Sequence, residues 1–261
     1  MLSIITPTLN CASTLPSTLA SIRSLVDAGL AEHIVVDSGS TDGTVEMAKA
    51  SGAKVLTYPK GNMYAAINEG MRSATGEWMT YINGDDLLYA DAVKEVLADV
   101  QDGTDIIYGN IDYIDEEGRF LFSWRSPSEK WIRSFMCYYN PFPQQGSLFR
   151  RSVYENVNGF NTDFRYAADY DFWTRAFESG AQVQKYRLKS VAGFRLLAEQ
   201  LSQSKKSEMA PEGISIRARL RAKHSRLKNI SMQRWAQIYR ISSNLDSRLL
   251  KALRGRGLDQ R

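Results

Sequence analysis

The first 82 residues contain four short apolar runs: Ser3-Ile4-Ile5-Thr6, His33-Ile34-Val35-Val36-Asp37, Lys54-Val55-Leu56-Thr57 and Trp78-Met79-Thr80-Tyr81-Ile82. Between them, apolar residues recur three or four apart over 13–26, which predicts a helix, and further helices are expected over 45–50, after the loop and cap residues 38–44, and over 64–74. Intervals this short admit only βαβ units. The chain is therefore expected to form an α/β fold, a mainly parallel sheet with helices on both faces. After residue 100 the rhythm changes. A strand is expected over 105–108, and 111–114 and 119–124 flank the turn Asp115-Glu116-Glu117-Gly118 as an antiparallel ribbon. Helices are expected over 131–136, 152–156 and 170–179.

Ligands of an open α/β sheet sit beyond the carboxyl ends of its strands. Three polar clusters follow such ends: Pro7-Thr8-Leu9-Asn10, Asp37-Ser38-Gly39-Ser40 and Asn83-Gly84-Asp85-Asp86. They converge on one edge, which suits a single nucleotide-sized site. Asp85 and Asp86 would repel each other unless something cationic lay between them, so the pair suits a metal held on a diphosphate. Capping of the following helix is the alternative. A second acidic pair, in Ala168-Asp169-Tyr170-Asp171-Phe172-Trp173, lies among aromatic residues. A partly desolvated carboxylate there has a raised pKa and suits taking a proton from a hydroxyl.

A chain of 261 residues with 43% hydrophobic content can bury a full core. One domain is expected over 1–214, with a nucleotide-binding half at 1–100 and an acceptor-side half at 101–214, followed by a basic, helical tail at 215–261. The boundary is placed by the polar patch 202–207 with Pro211 and Gly213. Thirteen Lys or Arg against Asp246 and Asp259 give the tail +11, while twenty basic and twenty-seven acidic residues leave 1–214 at −7. No run approaches the roughly eighteen apolar residues of a membrane span, and Met1-Leu2-Ser3-Ile4-Ile5 does not read as a secretory signal, so a cytoplasmic location is expected. Two cysteines, Cys11 and Cys137, are too few for a disulfide framework, and two histidines, His33 and His224, argue against a histidine-based zinc site. In the tail, Ile216-Arg217-Ala218-Arg219-Leu220-Arg221-Ala222-Lys223 and Trp235-Ala236-Gln237-Ile238-Tyr239-Arg240-Ile241 mix basic and apolar residues at helical spacing. This describes helices drawn to anionic lipid on the inner face of a membrane, or solvated helices packed on the body. Nucleic acid ranks last of the three.

Six segments, in order, resemble an inverting, nucleotide-sugar-dependent glycosyltransferase of family 2 with the GT-A fold. They are Ile4-Ile5-Thr6-Pro7-Thr8-Leu9-Asn10, Val35-Val36-Asp37-Ser38-Gly39-Ser40-Thr41-Asp42-Gly43-Thr44 and Asn62-Met63-Tyr64-Ala65-Ala66-Ile67-Asn68-Glu69-Gly70, then Ala74-Thr75-Gly76-Glu77-Trp78, Asn83-Gly84-Asp85-Asp86 and Ala168-Asp169-Tyr170-Asp171-Phe172-Trp173. The resemblance covers about the first 180 residues.

The resemblance implies a role for each matching residue. Asp85 and Asp86 would hold Mn²⁺ or Mg²⁺ on the donor diphosphate, Asp85 more directly. Asp37 would accept a hydrogen bond from a ring NH of the donor base, commonly uracil, or alternatively fold the turn at Gly39 and Ser40. Pro7, Thr8 and Asn10 would lie under the nucleotide and Asn68 would touch the donor, while Tyr64, one helical turn before Asn68, packs or contributes there. Asp169 would be the general base, with Asp171 the competing candidate; Trp173 would floor the acceptor or serve the core, and Gln145 would touch diphosphate or acceptor. The implied partners are a nucleotide-sugar donor, UDP-linked in this family's common pattern, and a saccharide or lipid-linked saccharide acceptor, as in bacterial polysaccharide biosynthesis. Leu9, Ile67, Asn83 and Ala168 depart from the common pattern, which leaves a catalytically inactive nucleotide-sugar-binding module as the rival. A nucleotidyltransferase ranks lower, since Pro7-Thr8-Leu9-Asn10-Cys11-Ala12 is not a Gly-rich, basic phosphate loop.

Overall fold

Strand β1 (Leu2–Thr8) is buried at six of its seven residues, as a run without polar alternation must be inside a parallel sheet. In the computed structural model, which describes residues 1–197, 206–223 and 226–245, it pairs in parallel with β2 (Ala31–Asp37) and with β4 (Trp78–Tyr81). Strand β3 (Lys54–Thr57) extends the parallel set beyond β2. Helices α1 (Leu15–Asp27), α2 (Thr44–Ala50) and α3 (Met63–Ser73) supply the crossovers. Adjacent residues of β1 face opposite ways: Ile4 packs under α1 with Ile22 and Leu25, and Ile5 packs under α3 with Ile67 and Met71. Both faces of the sheet are thus covered by helices.

Strand β8 (Ser147–Arg150) runs antiparallel between β4 and β6 (Ile106–Ile114), and β9 (Val183–Arg195) is parallel to β6. The short β5 (Leu87–Leu88) pairs antiparallel with β9, and β7 (Phe120–Trp124) with β6. The order is β3-β2-β1-β4-β8-β6-β9-β5, with β7 beside β6. Six strands point one way and three the other, so the expected mainly parallel sheet is present, and both halves of the chain contribute to it. The other helices are α4 (Ala90–Ala98), α5 (Glu129–Phe135), α6 (Arg151–Asn156), α7 (Ala168–Glu178), α8 (Lys206–Arg221) and α9 (Arg226–Ser242).

Three differences from the sequence reading have physical causes. The strand expected over 105–108 and the first arm of the ribbon form the single strand β6, because Gly109 presents no side chain where Val191 of β9 approaches, and a register shift absorbs the irregularity. The sequence reading did not single out β9, whose middle, Arg187-Leu188-Lys189, is exposed and interrupts its apolar ends. The division expected after residue 214 falls inside α8, which runs through Pro211 and Gly213. Tertiary contacts override local propensity there. Ile216 is 1% exposed in the same core as Tyr170 and Trp173, and the Glu212 carboxylate accepts the backbone N–H groups of Arg165, Tyr166 and Ala167 at 2.8–2.9 Å. Of the polar patch, 202–205 lie outside the described residues, as do 224, 225 and 246–261 of the tail.

Candidate active site

Three loops meet at the carboxyl ends of β1, β2 and β4. The Asp37 carboxylate ends β2 and is 2% exposed. Its Oδ1 accepts the N–H groups of Gly39 (2.9 Å) and Ser40 (2.8 Å), and its Oδ2 accepts the hydroxyls of Thr8 (2.9 Å) and Ser40. Burial would raise its pKa, but the Ser40 and Thr8 hydroxyls and the two N–H groups hold it below the usual carboxylate value. A carboxylate offers about four acceptor sites, and all four are filled from within the protein. The turn-folding arrangement is therefore the one present. Asn10, in the left-handed region at φ 51°, accepts from the Thr41 N–H at 2.9 Å and donates its own N–H to Ser40 at 2.8 Å, joining the first loop to the second. Pro7 lies within β1, opposite Val36 of β2.

The third loop is tied to α1 by two hydroxyls: Thr14 donates to the Gly84 carbonyl and Thr18 to that of Asp86, both at 2.8 Å. A Cβ at Gly84 would lie 2.7 Å from Cys11 Sγ, so only glycine lets the loops approach this closely. The two adjacent acids differ. Asp86 is fully buried and accepts the Arg195 N–H (2.9 Å), Asn83 Nδ2 (3.1 Å) and Gln145 Nε2 (3.2 Å). Burial, then the Asp85 charge, pushes its carboxyl well above the usual range. Asp85 is half-buried, and its carbonyl accepts Arg195 Nε at 2.8 Å. Asn83 Oδ1 is buried and has no hydrogen-bond partner among the described residues.

Asp169 stands in the first turn of α7 and is half-buried. Tyr64 Oη and Asn140 Nδ2 each lie 3.3 Å from its carboxylate oxygens. Burial pushes its pKa up to about 6, against the Tyr170 N–H and the Tyr64 and Asn140 contacts, which favour the charged form. Tyr81, at the end of β4, hydrogen-bonds Tyr64 and feels the charges of both Asp169 and Asp86. Gln144 donates to the Tyr81 carbonyl beside Gln145. Asp85, Asp86, Gln145 and Asp169 are thereby gathered around the end of one strand.

Three expected site residues lie elsewhere. Asn68 spends its amide on the Phe160 carbonyl (2.8 Å), the Phe160 N–H and the Tyr154 hydroxyl (both 3.0 Å), fixing the loop before α7. Asp171, two residues beyond Asp169, points to the opposite side of the helix, where Arg175 (2.6 Å) and Arg219 of α8 (3.0 Å) pair with it in a buried position. Trp173 is 1% exposed and stacks on Phe142 with ring centroids 4.7 Å apart, so it serves the core and offers no face to an acceptor. Conversely, Asn140 and Arg195 touch the acids and escaped the sequence reading. Asn140 precedes Pro141 in a turn signature that could have flagged it; Arg195 closes a strand whose pattern hid it.

The sequence profile described as glycosyl transferase family 2 matches residues 3–157, more than half of the chain. The chain belongs to glycosyl transferase family 2. A "PGL/p-HBAD biosynthesis glycosyltransferase" of Mycobacterium bovis is 31% identical over 207 residues, spanning 74% of this glycosyltransferase and 76% of the relative. Among solved structures, Staphylococcus aureus TarS 1–349 in complex with UDP-GlcNAc matches with a TM-score of 0.65 and 17% identity, covering 93% of this chain and 73% of that one. The mannosyltransferase PcManGT from Pyrobaculum calidifontis, in complex with GDP-Man and Mn²⁺, matches with a TM-score of 0.61 and 17% identity over 100% of this chain and 75% of that one. These neighbours are GT-A glycosyltransferases, and the likeness establishes the fold.

Proposed function

We propose that this glycosyltransferase moves a single sugar from a nucleoside-diphosphate donor, UDP-linked, to a hydroxyl of a saccharide or lipid-linked saccharide, with inversion in one displacement. The observation that carries the reading is Asp169: a half-buried carboxylate with its pKa near 6, across the end of β4 from the Asp85–Asp86 turn. At neutral pH it is ionised yet retains more basicity than a solvated aspartate, which suits removing the acceptor hydroxyl proton as that oxygen attacks. Tyr64 and Asn140 hold its two oxygens in place. The sugar nucleotides named in the complexes of TarS and PcManGT, and the biosynthetic role in the name of the mycobacterial relative, support the donor and acceptor classes.

On the donor side, Asp37 shapes the loop that would meet the base, with Thr8, Asn10 and Ser40 bracing it. The turn after β4 fits a hard divalent cation, Mn²⁺ or Mg²⁺: Asp85 offers a half-buried carboxylate, and Asn83 Oδ1 is a neutral oxygen lacking a hydrogen-bond partner. Among the described residues no cluster of three or more His, Cys, Asp or Glu could hold an ion unaided, so it would complete its shell with diphosphate oxygens and water. Bound there, the cation would neutralise charge gathering on the departing diphosphate. Asp86 would brace that turn, since its carboxylate ties it to the Arg195 N–H and Gln145 Nε2.

The test is calorimetry and hydrolysis with a panel of sugar nucleotides in Mn²⁺. Binding and turnover of a UDP-sugar are expected. Binding without turnover across a broad set of acceptors would favour the inactive binding module, and failure to bind any sugar nucleotide would overturn the reading.

A further inference from the structure

Helix α9 has two unlike faces. The inner one is fixed to the body: Ala236 is buried and Tyr239 lies on Phe135 with ring centroids 5.2 Å apart, and just past the helix the Oδ1 of the buried Asn244 accepts the Arg125 N–H at 2.9 Å. Trp235 meets Trp131 edge-on at 5.9 Å while remaining 42% exposed. The outer face carries Ile238 and Ile241, exposed by 57% and 40%, and Leu245, 52% exposed, follows just past the helix end. Ile238 and Ile241, three apart, share one side of the helix with the exposed Arg234, while Arg240 turns the other way and lies over Tyr139 of the body at 5.6 Å. An apolar helical stripe of this kind calls for a partner.

Charge identifies the partner. Residues 215–261 carry +11, so a second copy of this chain apposed at the same stripe would bring like charge to like. An anionic lipid surface brings the opposite charge, and its interfacial layer takes up Trp, Ile and Leu side chains beside arginines. The inner face leads to the site. Helix α5, on which α9 packs, continues into 136–140, where Arg221 Nε donates to the Cys137 carbonyl at 2.8 Å, its guanidinium lies over Tyr138, and Asn140 reaches Asp169.

We propose that α9 docks on an anionic lipid surface through Trp235, Ile238 and Ile241 with Arg234, joined by Leu245 just past its end, and that docking brings the acceptor side of the site to the bilayer. The docking stands on α9 alone; the second clause rests on the assignment of Asp169 as the base.

The full chain is sedimented with phosphatidylcholine vesicles containing about 30% phosphatidylglycerol, and with phosphatidylcholine alone. Co-sedimentation with the anionic vesicles only is expected, with release at about 0.5 M salt. The variants I238S/I241S and R234E change exposed residues and are expected to melt as wild type does, yet each should weaken partitioning at least about tenfold. No binding to anionic vesicles, or undiminished binding by both variants, overturns the proposal. So does a dimer that I238S/I241S dissociates in a protein that ignores vesicles, which would give the stripe to a second copy. Neither donor nor acceptor is present, so failure here leaves the Asp169 assignment standing; loss of turnover on a water-soluble acceptor in D169N, with vesicle binding intact, separates the two readings from the other side.

Discussion

At the scale of single residues, the account distinguishes side chains that sit next to each other in sequence. Tyr64→Phe removes a hydrogen bond that favours ionised Asp169 and leaves a ring of nearly the same shape. The carboxylate pKa should rise, by less than about one unit for a bond worth about 1 kcal/mol. The sign follows from the chemistry: if Asp169 acts as the deprotonated base, the acid limb of kcat/KM, expected near pH 6 in the wild type, should move to higher pH. An unmoved limb would show that Tyr64 merely packs. Asp85 and Asp86 should separate in a different experiment. Asp85→Ala is expected to lose Mn²⁺-dependent donor binding in calorimetry with little change in Tm. Asp86→Ala strands the Arg195 N–H and the Gln145 and Asn83 amides. It should therefore cost about 1–3 kcal/mol in denaturant unfolding. Matching behaviour of the two variants would contradict the division of labour.

At the scale of elements, Glu212 shows how far the site depends on a helix well outside it. Its carboxylate accepts three successive N–H groups just before α7, the helix that presents Asp169. Glu212→Ala leaves those donors to water and should lower stability by about 1–3 kcal/mol, and kcat with it, while KM for the donor stays nearly constant. A large KM change with unchanged kcat would place the effect on the donor side. The legibility of the elements follows the same physics. Strands β1, β2 and β4 were readable because burial on both faces makes a parallel strand nearly all apolar. Strand β9 was not, since its exposed Arg187-Leu188-Lys189 centre breaks the pattern, and α8 was not, since Pro211 and Gly213 read as a boundary while Glu212, Ile216 and Leu220 hold the helix against the body. Within α7 the two acids were both visible, but which one faces the site depends on where the helix starts. Two residues turn a helix by roughly 200°, so one acid meets Tyr64 and the other meets Arg175 and Arg219.

At the scale of the whole molecule, one sheet gathers both halves of the candidate site. The strands of the first half end in loops stitched by Asp37, Asn10 and Thr14; the second half contributes Gln145, Asp169 and Arg195 to the same edge, with Tyr81 between the acids. The polar clusters announced that edge in the sequence, whereas the saturation of Asp37 and Asn68 by internal partners could be seen only once the loops were placed. The central claim is that Asp169 works as the base while the donor is held by other residues, and the Asp169→Asn variant tests it most directly. With a UDP-sugar and Mn²⁺, the account predicts donor affinity close to wild type by calorimetry and turnover at least about 100-fold lower. Normal turnover by that variant, or donor affinity lost along with turnover, would contradict the account.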